Sequence, residues 1–120
     1  MVRKRDARES EVRKGMRGGA GEVTIRHYFR KDEFRSGVRL CAELVLPPGA
    51  GIGLHEHALE DEIFIVQQGK GTVTDRGADA EVGPGDAIVT GGGDSHAVRN
   101  TGTGDLVITA VIVQYPKGEA

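Results

Sequence analysis

A few side chains in this sequence could act together on a metal ion: His55, His57, a carboxylate shortly after them, and His96. His55 and His57 are separated by one residue. On an extended backbone both project to the same side, because strand side chains alternate faces. Glu62 opens the apolar run Ile63-Phe-Ile-Val66, and Glu60 shares its parity. Alternation leaves both carboxylates open as candidates, while Asp61 falls on the other parity. His96 starts a later strand-like stretch, Ser95 to Asn100, and is expected to arrive from the facing sheet. Imidazole nitrogens with one carboxylate oxygen suit a divalent transition metal: Mn, Fe, Co, Ni, Cu or Zn. Four ligands in an octahedral set leave two positions for water, substrate or dioxygen, and open positions mark chemistry rather than structure. If these were unrelated surface residues, nothing would explain why the histidines fall at junctions of turn and strand.

The elements that must position these groups read as β throughout. Val23-Thr-Ile-Arg-His-Tyr-Phe29 alternates, with Val23, Ile25, His27 and Phe29 on one face. His27 is therefore expected to be a packed, hydrogen-bonded core histidine rather than a ligand. Val38 to Leu46 is the next strand, ended by Pro47-Pro48-Gly49. Leu40, Ala42, Leu44 and Leu46 form its apolar face. Arg39, Cys41 and Glu43 lie opposite, with Arg39 and Glu43 expected as a surface pair. After the His-x-His strand and the strand from Glu62 to Gln67, Thr72–Asp75 and Ala80–Val82 flank Arg76-Gly77 and predict a hairpin. Short strands follow at Asp86–Thr90 and around His96, and the longest apolar run is Leu106 to Tyr115. Eight to ten short strands punctuated by Gly or Pro, with no convincing helix, predict an all-β sandwich or barrel; a jelly roll is the natural closure at this length.

Size and composition fit that picture. A chain of 120 residues is one domain with room for a real core. It has 19 Gly, only 4 Pro and 4% aromatics, so its glycines are read as turns between apolar runs. The net charge of −2 calls for neither nucleic acid nor an anionic membrane. Charge is uneven, however: residues 1–17 hold seven Lys/Arg against three acids. This head is read as a solvated arm lying along the domain or its neighbour, the sharper reading being an anionic partner. The expected organisation is a basic arm over 1–21 with one short strand, a barrel over 22–116, and a tail over 117–120. With no signal-like or membrane-spanning run and a single cysteine, Cys41, a cytoplasmic protein is expected.

The spacing around the histidines resembles a known pattern. Gly49, five residues, His55-x-His57, four residues, Glu62, six residues and Gly69 look like the first motif of the cupin superfamily. Gly85, five residues, two more and Gly93, then His96 and Asn100 resemble the second. The short distance between the motifs is similar to that of compact microbial cupins. The second motif usually carries a Pro where this chain has Gly91, so the Gly91–Gly93 loop is expected to be more mobile. The resemblance implies a double-stranded β-helix, or jelly-roll barrel, with a metal held by His55, His57, Glu62 and His96. The family spacing is what prefers Glu62 to Glu60. It also implies a homodimer, in keeping with Ile63 and Ile65 facing outward if Glu62 faces in.

The family spans dioxygenases, decarboxylases, isomerases and lyases, so membership does not choose a reaction. The expected function is a small metalloenzyme acting on an oxygen-bearing metabolite. The alternative is a non-catalytic module that binds or senses a small ligand through its metal. Pocket candidates are Tyr28, Cys41 and Phe64, with Arg26 and Glu60 behind them. Oxalate-decarboxylating cupins typically place an arginine just before the His-x-His pair. Here that stretch is Ala50-Gly-Ile-Gly-Leu54, which counts against oxalate chemistry. No helix-turn-helix segment for DNA is visible.

Overall fold

A computed structural model describes residues 1–117, and positions 118–120 of the expected tail lie outside the described residues. The chain forms ten strands: β1 Glu9–Lys14, β2 Glu22–Phe29, β3 Val38–Leu46, β4 Gly51–Glu56, β5 Glu60–Gln68, β6 Gly71–Asp75, β7 Ala78–Val82, β8 Ala87–Gly91, β9 Ser95–Asn100 and β10 Leu106–Gln114. They build two antiparallel sheets, one ordered β1-β2-β3-β10-β5-β8 and one ordered β4-β9-β6-β7. Only short 3-10 turns interrupt them. No helix among the described residues is long and apolar enough to cross a membrane.

The two sheets close on one apolar core. The large sheet contributes Val23, Ile25, Ala42, Leu44, Leu46, Phe64, Val66, Ile108 and Ala110, and the small one Ile52, Val73 and Val98. Each large side chain so buried stabilises the fold by roughly 1.5–3 kcal/mol. The expected hairpin is β6–β7, whose ladder ends at Asp75↔Ala78. Its two turn residues, Arg76 (φ 50°) and Gly77 (φ 79°), both adopt the left-handed conformation that matches the strand twist.

Two departures from the sequence expectations concern what surrounds the site. His27 is not in the core. It is half-buried at the β1 edge, with Nε2 3.7 Å from Glu11 Oε2. Arg39 does not pair with Glu43, which takes Arg8 at 3.5 Å and Arg26 at 3.4 Å. The reason is a β-bulge in β3, where Leu40 opposes Ile112 and Val38 opposes Val113. Arg39 is the extra residue, and the bulge swings it off the outward face. The arm carries one short strand, β1: Lys14 pairs with Glu22 and Glu9 with His27, making β1 the edge strand of the large sheet.

Candidate metal centre

His55 and His96 face each other across neighbouring strands. β4 and β9 pair Ile52↔Val98 and then His55↔His96. Between those pairs β4 has two residues, Gly53 and Leu54, where β9 has only Ala97. This bulge reverses the parity. Simple alternation from buried Ile52 would send Leu54 inward; instead Leu54 is 64% exposed and His55 turns in. His57 lies just beyond β4. Its N–H donates to the Asp94 carbonyl at 3.0 Å and its carbonyl accepts from Gly93 N–H at 2.9 Å. His96 was expected from the facing sheet, but it shares the small sheet with His55. The group that crosses the barrel is Glu62, from β5.

β5 begins at Glu60, two residues earlier than expected, so Glu60, Glu62, Phe64 and Val66 all point inward. Depth separates the two carboxylates. Glu62 Oε1 lies 2.9 Å from His57 Nε2, 2.9 Å from His96 Nε2 and 4.0 Å from His55 Nε2. Glu60 instead stands behind His57, with Oε2 2.5 Å from Nδ1.

Every imidazole is tied on its far side. His55 Nδ1–H donates to the Gly53 carbonyl at 2.7 Å, His57 Nδ1–H to Glu60, and His96 Nδ1 meets Thr90 Oγ1 at 3.0 Å. A neutral ring that donates from Nδ1 presents a lone pair at Nε2. The Nε2 atoms of His57 and His96 are 3.0 Å apart, and those of His96 and His55 3.1 Å. Lone pairs and a carboxylate crowded at that range repel unless a cation lies among them. All four donor atoms fall within 4.8 Å of one another. Neighbouring ligands at roughly 2.1 Å from one ion would be separated by about 3 Å, so this donor set fits a transition metal. His57, Glu62 and His96 are each at most 5% exposed, and a metal there would be shielded from competing solvent.

The electrostatics follow from the same contacts. Hydrogen bonding to Glu62 raises the His57 pKa above its ordinary value against the opposing effect of burial, and Glu60 adds to the rise. Burial opposes ionisation of Glu62, but the three imidazoles around it outweigh burial whenever they carry protons and hold the carboxyl well below the usual range. Glu60 is lowered chiefly by Arg39, whose Nε and Nη2 donate to its two oxygens at 2.8 Å each. Arg39, Glu60 and His57 thus form a chain running outward from the donor cluster. Such outer partners orient a metal-binding imidazole and fix its tautomer.

A cavity of about 80 Å³ adjoins the cluster, lined by His55, His57, Glu62, Phe64, Arg39, Arg13 and Arg17 together with aliphatic side chains. Of the expected pocket residues, Phe64 is present and stacks on His96 with ring centroids 4.8 Å apart. Tyr28 is elsewhere, under the N-terminal segment, with the Arg8 guanidinium 5.4 Å from its ring centroid. Cys41 is half-buried outside the cavity lining, its thiol pushed up by burial. Sequence reasoning missed Arg13, Arg17 and Arg39 as cavity residues. The only available signal for Arg13 and Arg17 was the basic, glycine-broken head; Arg39 had none, because a bulge placed it. A larger depression of about 240 Å³ on the small sheet is lined by Gly51, Gly53, Thr72 and Thr74, without histidine or carboxylate.

The Gly91–Gly93 loop is pinned rather than loose. A Cβ on Gly91 would lie 2.8 Å from the Glu60 carbonyl oxygen and against the Asp61 carboxylate, so a side chain there would displace both. Tyr115 donates its hydroxyl proton to that same Asp61 oxygen at 2.6 Å and accepts from Gly92 N–H at 2.9 Å. Asn100 ties the motif's far end, with Nδ2 donating to the carbonyls of Leu46 and Gly104 at 2.8 Å each.

A two-sheet antiparallel barrel with three histidines and a glutamate converging inside it defines a class, and the comparisons agree. Residues 42–112 match the model of the cupin domain. The chain belongs to the cupin family. It is 43% identical over 98 residues, covering 82% of this chain and 81% of the relative, to a protein of Thermotoga maritima named oxalate-binding protein. Its fold matches a crystal structure from Thermotoga maritima, described as a predicted oxalate decarboxylase, with a TM-score of 0.91 and 39% identity over 95% of this chain and 99% of that one. A Halomonas protein named KdgF matches at a TM-score of 0.65 and 20% identity, covering 82% of this chain and 84% of that one, and shares the fold.

Proposed function

We propose that this protein holds one divalent transition metal through His55, His57, Glu62 and His96 and uses it to bind a small oxygen-rich anion, with oxalate as first candidate. The observation that carries this reading is the convergence of three Nε2 atoms and a carboxylate oxygen whose rings are all held from behind. A bound metal would supply Lewis acidity and positions for a pair of ligand oxygens. The chain's own residues orient those positions, and Phe64 and the aliphatic wall keep the cavity small. Oxalate is supported by the name of the Thermotoga maritima relative. The lack of an arginine before His55 loses its force, because Arg39, Arg13 and Arg17 line the same cavity from other elements.

Binding is favoured over turnover by the cavity lining, which offers no histidine, carboxylate, tyrosine or cysteine beyond the proposed ligands to move a proton. The catalytic reading predicts dioxygen uptake or carbon dioxide release from the metal-loaded protein with small diacids, keto acids or diols. Calorimetric titration of oxalate into metal-loaded and metal-stripped protein tests the main reading. Binding confined to the loaded form is the expected result, and equal binding by both forms refutes it.

A homodimer forms part of the proposal. Val89 is 64% exposed and Ile65 38%, on the outer face of β8 and β5, where a second copy would cover them. Light scattering that gives a monomer at high concentration would rule this out.

A further inference from the structure

The basic N-terminal segment is built onto the barrel at the cavity. β1 runs into a tight loop closed by Gly15 N–H to the Gly21 carbonyl at 3.0 Å, and Gly51 N–H reaches the Ala20 carbonyl at 2.9 Å. The approach is so close that a Cβ on Gly53 would sit 2.0 Å from the Arg17 carbonyl oxygen. Gly53 is also the residue whose carbonyl holds His55. Within this loop Arg17 adopts φ 54°, a left-handed conformation uncommon for a non-glycine residue. Met16 packs against the core, and Arg13, Met16 and Arg17 all line the cavity beside the donor cluster.

The charges of the cavity do not balance. Arg39 is taken up by Glu60, and Arg13 by Glu11 at 2.7 Å. Arg17 has no ion pair among the described residues. The only carboxylate in the lining is Glu62, which faces the histidines. A divalent ion with Glu62 would leave one positive charge, and Arg17 adds a second. A dianion neutralises both.

We propose that Arg17 is the specificity-determining residue for a small dianion: it receives the carboxylate of a ligand whose oxygens occupy the metal's open positions. This rests on the metal-dependent binding proposed above. It turns the basic head from an appendage into a wall of the ligand site. A charge-assisted contact of this kind discriminates by roughly 1.5–3 kcal/mol, or about ten- to a hundredfold in affinity.

The test is calorimetric titration of Mn(II)-loaded protein with oxalate, malonate and the uncharged diol ethylene glycol, with bound metal measured in each sample. Wild type is compared with Arg17→Gly, which removes the side chain while leaving the left-handed backbone at ease, and with Arg17→Lys. The expected result is that Arg17→Gly keeps full metal, loses ten- to a hundredfold in oxalate affinity and narrows its preference for the dianions over the diol by the same factor, while Arg17→Lys recovers part. Oxalate affinity unchanged in Arg17→Gly overturns this inference alone. Metal-loaded wild type that binds none of the three overturns the ligand-binding reading, and this inference with it.

Discussion

The wall of histidines and the N-terminal loop meet at one cavity but are built on different principles. On the wall, each imidazole of the cluster is fixed twice, once by the backbone of its strand or strand end and once by a partner at Nδ1: Gly53, Glu60 or Thr90. On the N-terminal side, Arg13 lies near the end of β1 paired with Glu11, and Arg17 is exposed on the loop and held through the backbone that carries it. The contrast separates two tasks. A transition metal demands donors set to within a fraction of an ångström, so its residues are buried and braced. An incoming anion needs charge that can adjust, so its residue sits on a loop.

That division can be broken from either side. The largest effect is expected from the wall. His57→Ala or His96→Ala should empty the site, and elemental analysis showing full metal in His96→Ala would refute the ligand assignment. Next is the brace behind it: Glu60→Gln should weaken metal affinity by roughly ten- to a hundredfold while the fold persists, as measured by competition with a chelator. Unchanged affinity would mean that Glu60 serves Arg39 alone.

A smaller effect is expected where loop and wall touch. Gly53→Ala must push the Arg17 backbone away, costing about 1–3 kcal/mol of stability and speeding amide exchange over residues 13–21. If exchange there is unaltered, the loop is not seated on Gly53.

The smallest effect is a pH dependence of the metal-free protein. His57 is raised above 6.5, so its contribution is full below that pH and is lost as pH rises through the folded value. Glu60 is lowered below 4.5, so its contribution is present above that pH and is lost as pH falls through the folded value. Thermal melts should therefore peak between these limits. Metal must displace the His57 proton, so metal affinity should climb with pH, and loading should shift the stability maximum upward. A metal-free stability curve flat from pH 4 to 8 would contradict both assignments.

Much of the fold was legible because it rests on local rules. Period-two alternation marks β3, a long apolar run marks β10, and Arg76-Gly77 marks the β6–β7 turn. The donor set was legible too, since His55, His57, Glu62 and His96 fall at a recognisable spacing. Errors arose where one inserted residue changes every direction after it. The bulge at Arg39 turned a surface pair into a cavity residue joined to Glu60, and alternation could not foresee it. His27 was read as core because its parity matched Val23 and Ile25, but β1 makes a polar edge beside it.

The sequence by itself determined an all-β chain, because strand periodicity and turn chemistry act over two to five residues, and its motif spacing resembled the cupins. Which sheet carries His96, that Glu60 braces His57, and that Arg17 stands at the cavity were decided only by tertiary structure. Those outcomes depend on strand order, on bulges and on a loop laid against Gly53, where residues 36 apart in the chain come into contact.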